Sequence, residues 1–152
     1  MAASFILLND YLNLIQFYLD EYNLENSQIY TIGGSMGGYA AILYGIILEA
    51  NGIYAYNPQI DYKSAALRFK VNGLEDLWIE PEHILSSRQN YTNIFLYFGD
   101  FSADKRAAEK FIETLQRKPG ILVIQKSSHP GHKGLPLSVE SIMATFAYFE
   151  KA

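Results

Sequence analysis

Apolar runs and polar breaks alternate along this chain in a regular order. Between residues 4 and 22, Phe5, Leu8, Leu12, Ile15 and Leu19 recur at spacings of three and four, one stripe of an amphipathic helix. Ser4 stands at its N-cap position. After a polar connection over 23–27 comes Ile29-Tyr30-Thr31-Ile32, a short β-rich run, and then an apolar helix over 39–50 closed by Asn51-Gly52. A second strand, 53–56, stops at Asn57-Pro58-Gln59. A third, 94–98, ends at Gly99, and a helix over 105–117 follows with Ala108, Phe111, Ile112 and Leu115 on its buried side. Lys118-Pro119-Gly120 breaks that helix before a last strand at 121–124. The final helix opens at Pro136 or Ser138 and runs through Phe149, with Val139, Ile142, Met143 and Phe146 on its apolar face.

Residues 61–93 are the least regular. They hold a helix from Asp61 to Val71, a stretch from Leu74 to Ile79 that includes Trp78, and a short helix from Pro81 to Leu85. An excursion of this length between strands suits a cap or insertion over a site, or a packed surface subdomain. His83 reads as a surface histidine. Strands that alternate with helices imply an α/β fold, three-layer α/β/α with a mostly parallel sheet. Continuous apolar strands agree, because both their faces are covered. The chain, 152 residues long, reads as a single domain over 1–152.

Composition narrows the function. Hydrophobic residues make up 49% and charged residues 18%, as in a soluble globular protein. A net charge of −4 leaves no basic footprint for nucleic acid. Without cysteine there is no disulfide, thiolate metal site or thiol chemistry, and no metal or cofactor motif stands out. No apolar segment is long enough to span a bilayer, and 1–8 lacks the basic start of a signal peptide, so a cytoplasmic location is expected.

The chemistry gathers at the ends of the apolar runs. Gly33-Gly34-Ser35-Met36-Gly37-Gly38 joins the first strand to its helix and matches the G-x-S-x-G nucleophile elbow in its strand–turn–helix setting. Side chains two before and two after the serine would crowd each other, and Gly33 and Gly37 avoid this. Ser35 is then the expected nucleophile, and the N–H of Met36 an oxyanion donor. A plain βα turn is the bland alternative. A phosphate-binding P-loop is disfavoured, because no Lys-Ser/Thr follows the glycines.

A serine nucleophile needs a base, and the base needs an acid. Asp100 and Asp104 follow the third strand, and His129 and His132 follow the fourth. The expected triad is Ser35, Asp104 and His129, with Asp100 as alternative acid and His132 as alternative base. Asp104 would otherwise cap its helix. Asn57 and Gln59, just past a strand end, are site candidates beside the simpler reading of an Asn-Pro turn.

With GGSMGGYAA followed by YAYNPQID, the chain resembles the C-terminal portion of α/β-hydrolases. More narrowly it is similar to bacterial hydrolase-like proteins associated with capsule and surface-polysaccharide biosynthesis. The resemblance covers most of 29–149 and is loose over 63–92. It implies a serine esterase, deacylase or acyltransferase that acts on a small acyl or saccharide ester. It also implies that the first strands of the complete fold, which supply a second oxyanion N–H and one pocket wall, are lacking here. A homodimer or a missing N-terminal half would then complete the sheet. The alternative is a weak or inactive module that binds a saccharide or a protein partner.

Overall fold

The computed structural model describes residues 2–69, 78–89, 91–132 and 138–151. Among the described residues the α-helices and strands follow in the order α1 (Ala2–Glu21), β1 (Tyr30–Gly34), α2 (Met36–Ile47), β2 (Gly52–Tyr56), α3 (Tyr62–Phe69), α4 (Pro81–Ser86), β3 (Asn93–Phe98), α5 (Ser102–Leu115), β4 (Leu122–Lys126) and α6 (Val139–Phe149). The strands form one parallel sheet in the order β1-β2-β3-β4. The expected three-layer α/β architecture is therefore present. The expected helix end at Val71, the start of the Trp78 stretch at Leu74 and the helix start at Pro136 lie outside the described residues, as does the side chain of Phe5.

Period-two alternation sorts the strand residues between two cores. Ile53, Ala55, Ile94, Leu96 and Phe98 face α2 and α5, where Ile42, Ile46, Ala108, Phe111 and Leu115 close over them. Tyr54, Phe95 and Tyr97 face the other way, against Phe146 and Phe149 of α6. Tyr54 stacks on Phe95 with ring centroids 4.2 Å apart. Ser138 caps α6 by accepting the N–H of Ser141 at 3.1 Å.

Two boundaries differ from the sequence reading, and both matter for the site. α2 begins at Met36 rather than three residues later, so Gly37 and Gly38 lie in its first turn. α5 begins at Ser102, with Phe101 as its N-cap, so Asp104 stands inside the first turn. An acidic residue there is favoured by the helix dipole.

The sheet is least covered at β1. That strand has no partner on its outer side among the described residues, and Ile32 is 47% exposed. On α1 the stripe residues Leu8 and Leu19 are buried, but Tyr11, Leu14, Phe17 and Tyr18 face outward. No described helix is long and apolar enough to cross a membrane.

Candidate active site

Parallel strands place all their C-terminal ends on one rim, and the candidate residues lie there. Between the end of β1 and the start of α2 stands a single residue, Ser35, with φ 57° and ψ −125°. Positive φ is uncommon for a side-chain-bearing residue and persists only where neighbours enforce it. Here the Ser35 N–H donates to the Tyr56 carbonyl at 3.1 Å. The Ser35 carbonyl accepts from the N–H groups of Tyr39 at 3.1 Å and Gln59 at 3.2 Å. Met36 is the first residue of α2, where an N–H has no intrahelical acceptor.

The glycines are not equivalent. A Cβ on Gly33 would sit 2.1 Å from the Gly37 carbonyl oxygen, and one on Gly34 would sit 2.0 Å from the Tyr56 ring. A Cβ on Gly37 would meet nothing within 4 Å. The expected mutual crowding is therefore one-sided: the turn needs Gly33 and Gly34, while the side-chain direction at Gly37 is open.

Asp104 is 1% exposed. Its Oδ2 accepts a hydrogen bond from Nδ1 of His132, itself almost wholly buried. The Phe101 ring stands edge-on to the His132 imidazole at 6.4 Å. Oδ1 of Asp104 accepts from Nε2 of Gln59 at 3.3 Å. Asp100 is turned outward instead and pairs with Lys105 at 2.9 Å.

The two candidate histidines stand in different surroundings. His129 is exposed, and its Nδ1 accepts the N–H of Gly131 at 3.0 Å. Its carbonyl accepts the N–H of Asp100 at 2.9 Å. So His129 closes the loop against the end of β3 with its main chain. The chain turns at Pro130-Gly131, and His132 is the imidazole that meets Asp104. The pairing of Asp104 with His132 replaces the expected pairing with His129.

Asn57 and Gln59 prove to be more than a turn. Asn57 is 2% exposed, adopts φ 43°, and its Oδ1 accepts the N–H of Gly99. Gln59 is fully buried between Ser35 and Asp104. A polar pair flanking a proline beyond a strand end was the available signal.

Behind the rim, Tyr39 of α2 stacks on Trp78 at 4.2 Å and donates its hydroxyl hydrogen to the Ile79 carbonyl at 2.8 Å. Burial pushes the Tyr39 phenol up to about 12. Burial likewise raises the Glu80 carboxyl, whose Oε1 accepts the N–H of Tyr62. This cluster ties the segment after β2 to α2. Among the described residues no group of three His, Cys, Asp or Glu side chains could hold a metal ion. A cavity of about 390 Å³, bordered by Ser27, Asn51, Arg88 and Asn93, opens at the opposite rim, near the N-terminal ends of the strands. It lies away from Ser35.

No protein-family model matches the chain, and no curated protein sequence matches it. Solved structures do. The capsule O-acetyltransferase of Neisseria meningitidis serogroup A is similar over 94% of this chain and 63% of its own length, with 20% identity and a TM-score of 0.64. The S-formylglutathione hydrolase of Staphylococcus aureus matches over 98% of this chain and 61% of its own, with 15% identity and a TM-score of 0.63. The fluorophosphonate-binding serine hydrolase F of the same organism matches over 93% and 62%, with 14% identity and a TM-score of 0.61. The likeness establishes an α/β-hydrolase-type fold. The chain spans about three fifths of the length of these structures.

Proposed function

We propose that this chain carries the catalytic centre of a serine acyl hydrolase or acyltransferase, with Ser35 as nucleophile, His132 as base and Asp104 as its acidic partner. One observation supports the reading above the others. A continuous hydrogen-bonded path runs from the strained Ser35 turn through Gln59 and Asp104 to His132, so groups about 100 residues apart in sequence share one neighbourhood.

In this reading Nε2 of His132 takes the Ser35 hydroxyl proton as Oγ adds to the acyl carbonyl carbon. Asp104, bonded to Nδ1, fixes the tautomer that leaves Nε2 free to accept, and stabilises the imidazolium that forms. The carbonyl oxygen gains negative charge and takes a hydrogen bond from the Met36 N–H. When the tetrahedral adduct collapses, His132 returns the proton to the departing oxygen. Water then releases the acid, or a second hydroxyl accepts the acyl group. The O-acetyltransferase among the similar structures, together with the S-M-G-G-Y and N-P-Q motifs, favours a saccharide ester or saccharide hydroxyl as the partner.

The test is covalent labelling. A fluorophosphonate probe is expected to modify Ser35 in the folded protein, and Ser35→Ala to abolish modification. Folded protein that resists the probe would overturn the assignment.

A further inference from the structure

Gln59 makes contacts that a turn residue does not need. Its main-chain N–H donates to the Ser35 carbonyl at 3.2 Å, and its side-chain Nε2 donates to Oδ1 of Asp104 at 3.3 Å. The first contact has a consequence beyond Ser35 itself. The Ser35 carbonyl and the Met36 N–H belong to one planar trans peptide, so they point in opposite directions. Fixing the carbonyl fixes the direction of that N–H. The second contact holds one carboxylate oxygen, while His132 holds the other. Gln59 and His132 thus act on opposite oxygens of the same carboxylate.

The remaining atom of the side chain is equally informative. Oε1 of Gln59 is buried and has no hydrogen-bond partner among the described residues. A buried acceptor without a donor costs stability, and such groups call for an explanation. Flipping the amide would not help, because it would turn Oε1 against the acceptor-only carboxylate of Asp104. Methionine has nearly the same shape and would remove the cost. A purely structural position has no use for the amide, but a position that must donate to Asp104 does.

We propose that Gln59 is a positioning residue that holds the Ser35–Met36 peptide and the Asp104 carboxylate in fixed relation, the first through its main chain and the second through its amide. The proposal rests on the serine-enzyme reading above. It does not make Gln59 catalytic, since it acts only through its neighbours.

The test uses Gln59→Met and Gln59→Glu in the full chain. Methionine keeps the main-chain N–H and deletes the side-chain donor. The His132 tautomer, read by long-range proton–nitrogen NMR, is expected to be Nδ1–H in the parent and mixed in Gln59→Met. With p-nitrophenyl acetate, kcat should fall about 10- to 100-fold at unchanged KM, the size of effect that slight misplacement produces. The melting temperature should stay level or rise.

Gln59→Glu supplies a pH signature. Among the described residues, charged groups in this region include Asp104 and His132, with Asp61 beside Arg106 at 3.8 Å and Asp100 beside Lys105 at 2.9 Å. Two adjoining carboxyls retain a shared proton to higher pH than either alone. While protonated, the introduced carboxyl donates to Asp104 as the amide does. Once ionised it repels Asp104. The Nδ1–H hydrogen bond to Asp104 should therefore persist at low pH, and among the neutral imidazoles the Nδ1–H tautomer should lose ground as pH rises and the introduced carboxyl ionises. An unchanged tautomer in Gln59→Met, or a pH-independent one in Gln59→Glu, overturns the proposal. Failure of the serine reading would show differently, as unlabelled Ser35 in the parent, and the tautomer would still decide the part played by Gln59.

Discussion

At the scale of single residues, one loop divides its work between two histidines. His129 lends its main chain to the end of β3, and His132 lends its ring to Asp104. His132→Ala is therefore expected to lower kcat/KM for p-nitrophenyl acetate by about 10²- to 10⁴-fold, whereas His129→Ala should stay within about threefold of the parent. Equal losses in the two variants would count against the assignment. The sequence placed both histidines on one loop, but nearness to the strand end did not indicate which ring meets Asp104. Pro130-Gly131 reverses the chain after His129, and that reversal depends on contacts with Gly99 and Asp100 that no local pattern records. Asp104 was legible as an acid beyond a strand end. Its partner was not, because a side chain's direction follows from the register of its helix, and the helix starts three residues earlier than its apolar pattern suggests.

At the scale of elements, steric room around the β1–α2 turn is uneven. The β1–α2 turn tolerates a side chain at one flank and not at the other. Gly33→Ala forces a Cβ to 2.1 Å from the Gly37 carbonyl oxygen, so a loss of about 1–3 kcal/mol is expected from overpacking. Probe labelling of Ser35 should fall with it. Gly37→Ala meets open space inside a helix, and stability is expected to be unchanged or to rise by up to about 1 kcal/mol. Chemical denaturation of both variants checks the contrast. The segment after β2 makes a different prediction. Burial raises the folded-state pKa of the Glu80 carboxyl above its ordinary 4.5. For an acid this sign means that the folded state holds its proton longer, so the group favours folding at low pH and the advantage is lost as pH rises past 4.5. Glu80→Gln, which cannot ionise, should therefore gain stability over the parent as pH is raised through that window, and a parallel pH dependence of the two melting temperatures would refute it. The four strands were readable as apolar runs because both sheet faces are covered. The contacts of the Tyr39–Trp78 stack were not, since they join α2 to a stretch 40 residues on without periodicity to announce the pairing.

The molecule as a whole is asymmetric about its sheet. Two cores cover the middle strands, while β1 and the outward side of α1 expose Ile32, Tyr11, Leu14, Phe17 and Tyr18. An apolar edge of this kind promotes pairing with another chain. Sedimentation velocity is expected to show concentration-dependent self-association, reduced by Ile32→Lys, and an unaffected profile would exclude that edge as the contact. The cavity at the far rim has a practical consequence for such experiments. The chain contains no cysteine, and Ser27 borders that cavity, at the opposite end of the strands from Ser35. Ser27→Cys would thus create a unique thiol for a fluorescent dye. Unfolding and assembly could then be followed optically in a protein whose Ser35 remains available to the fluorophosphonate probe.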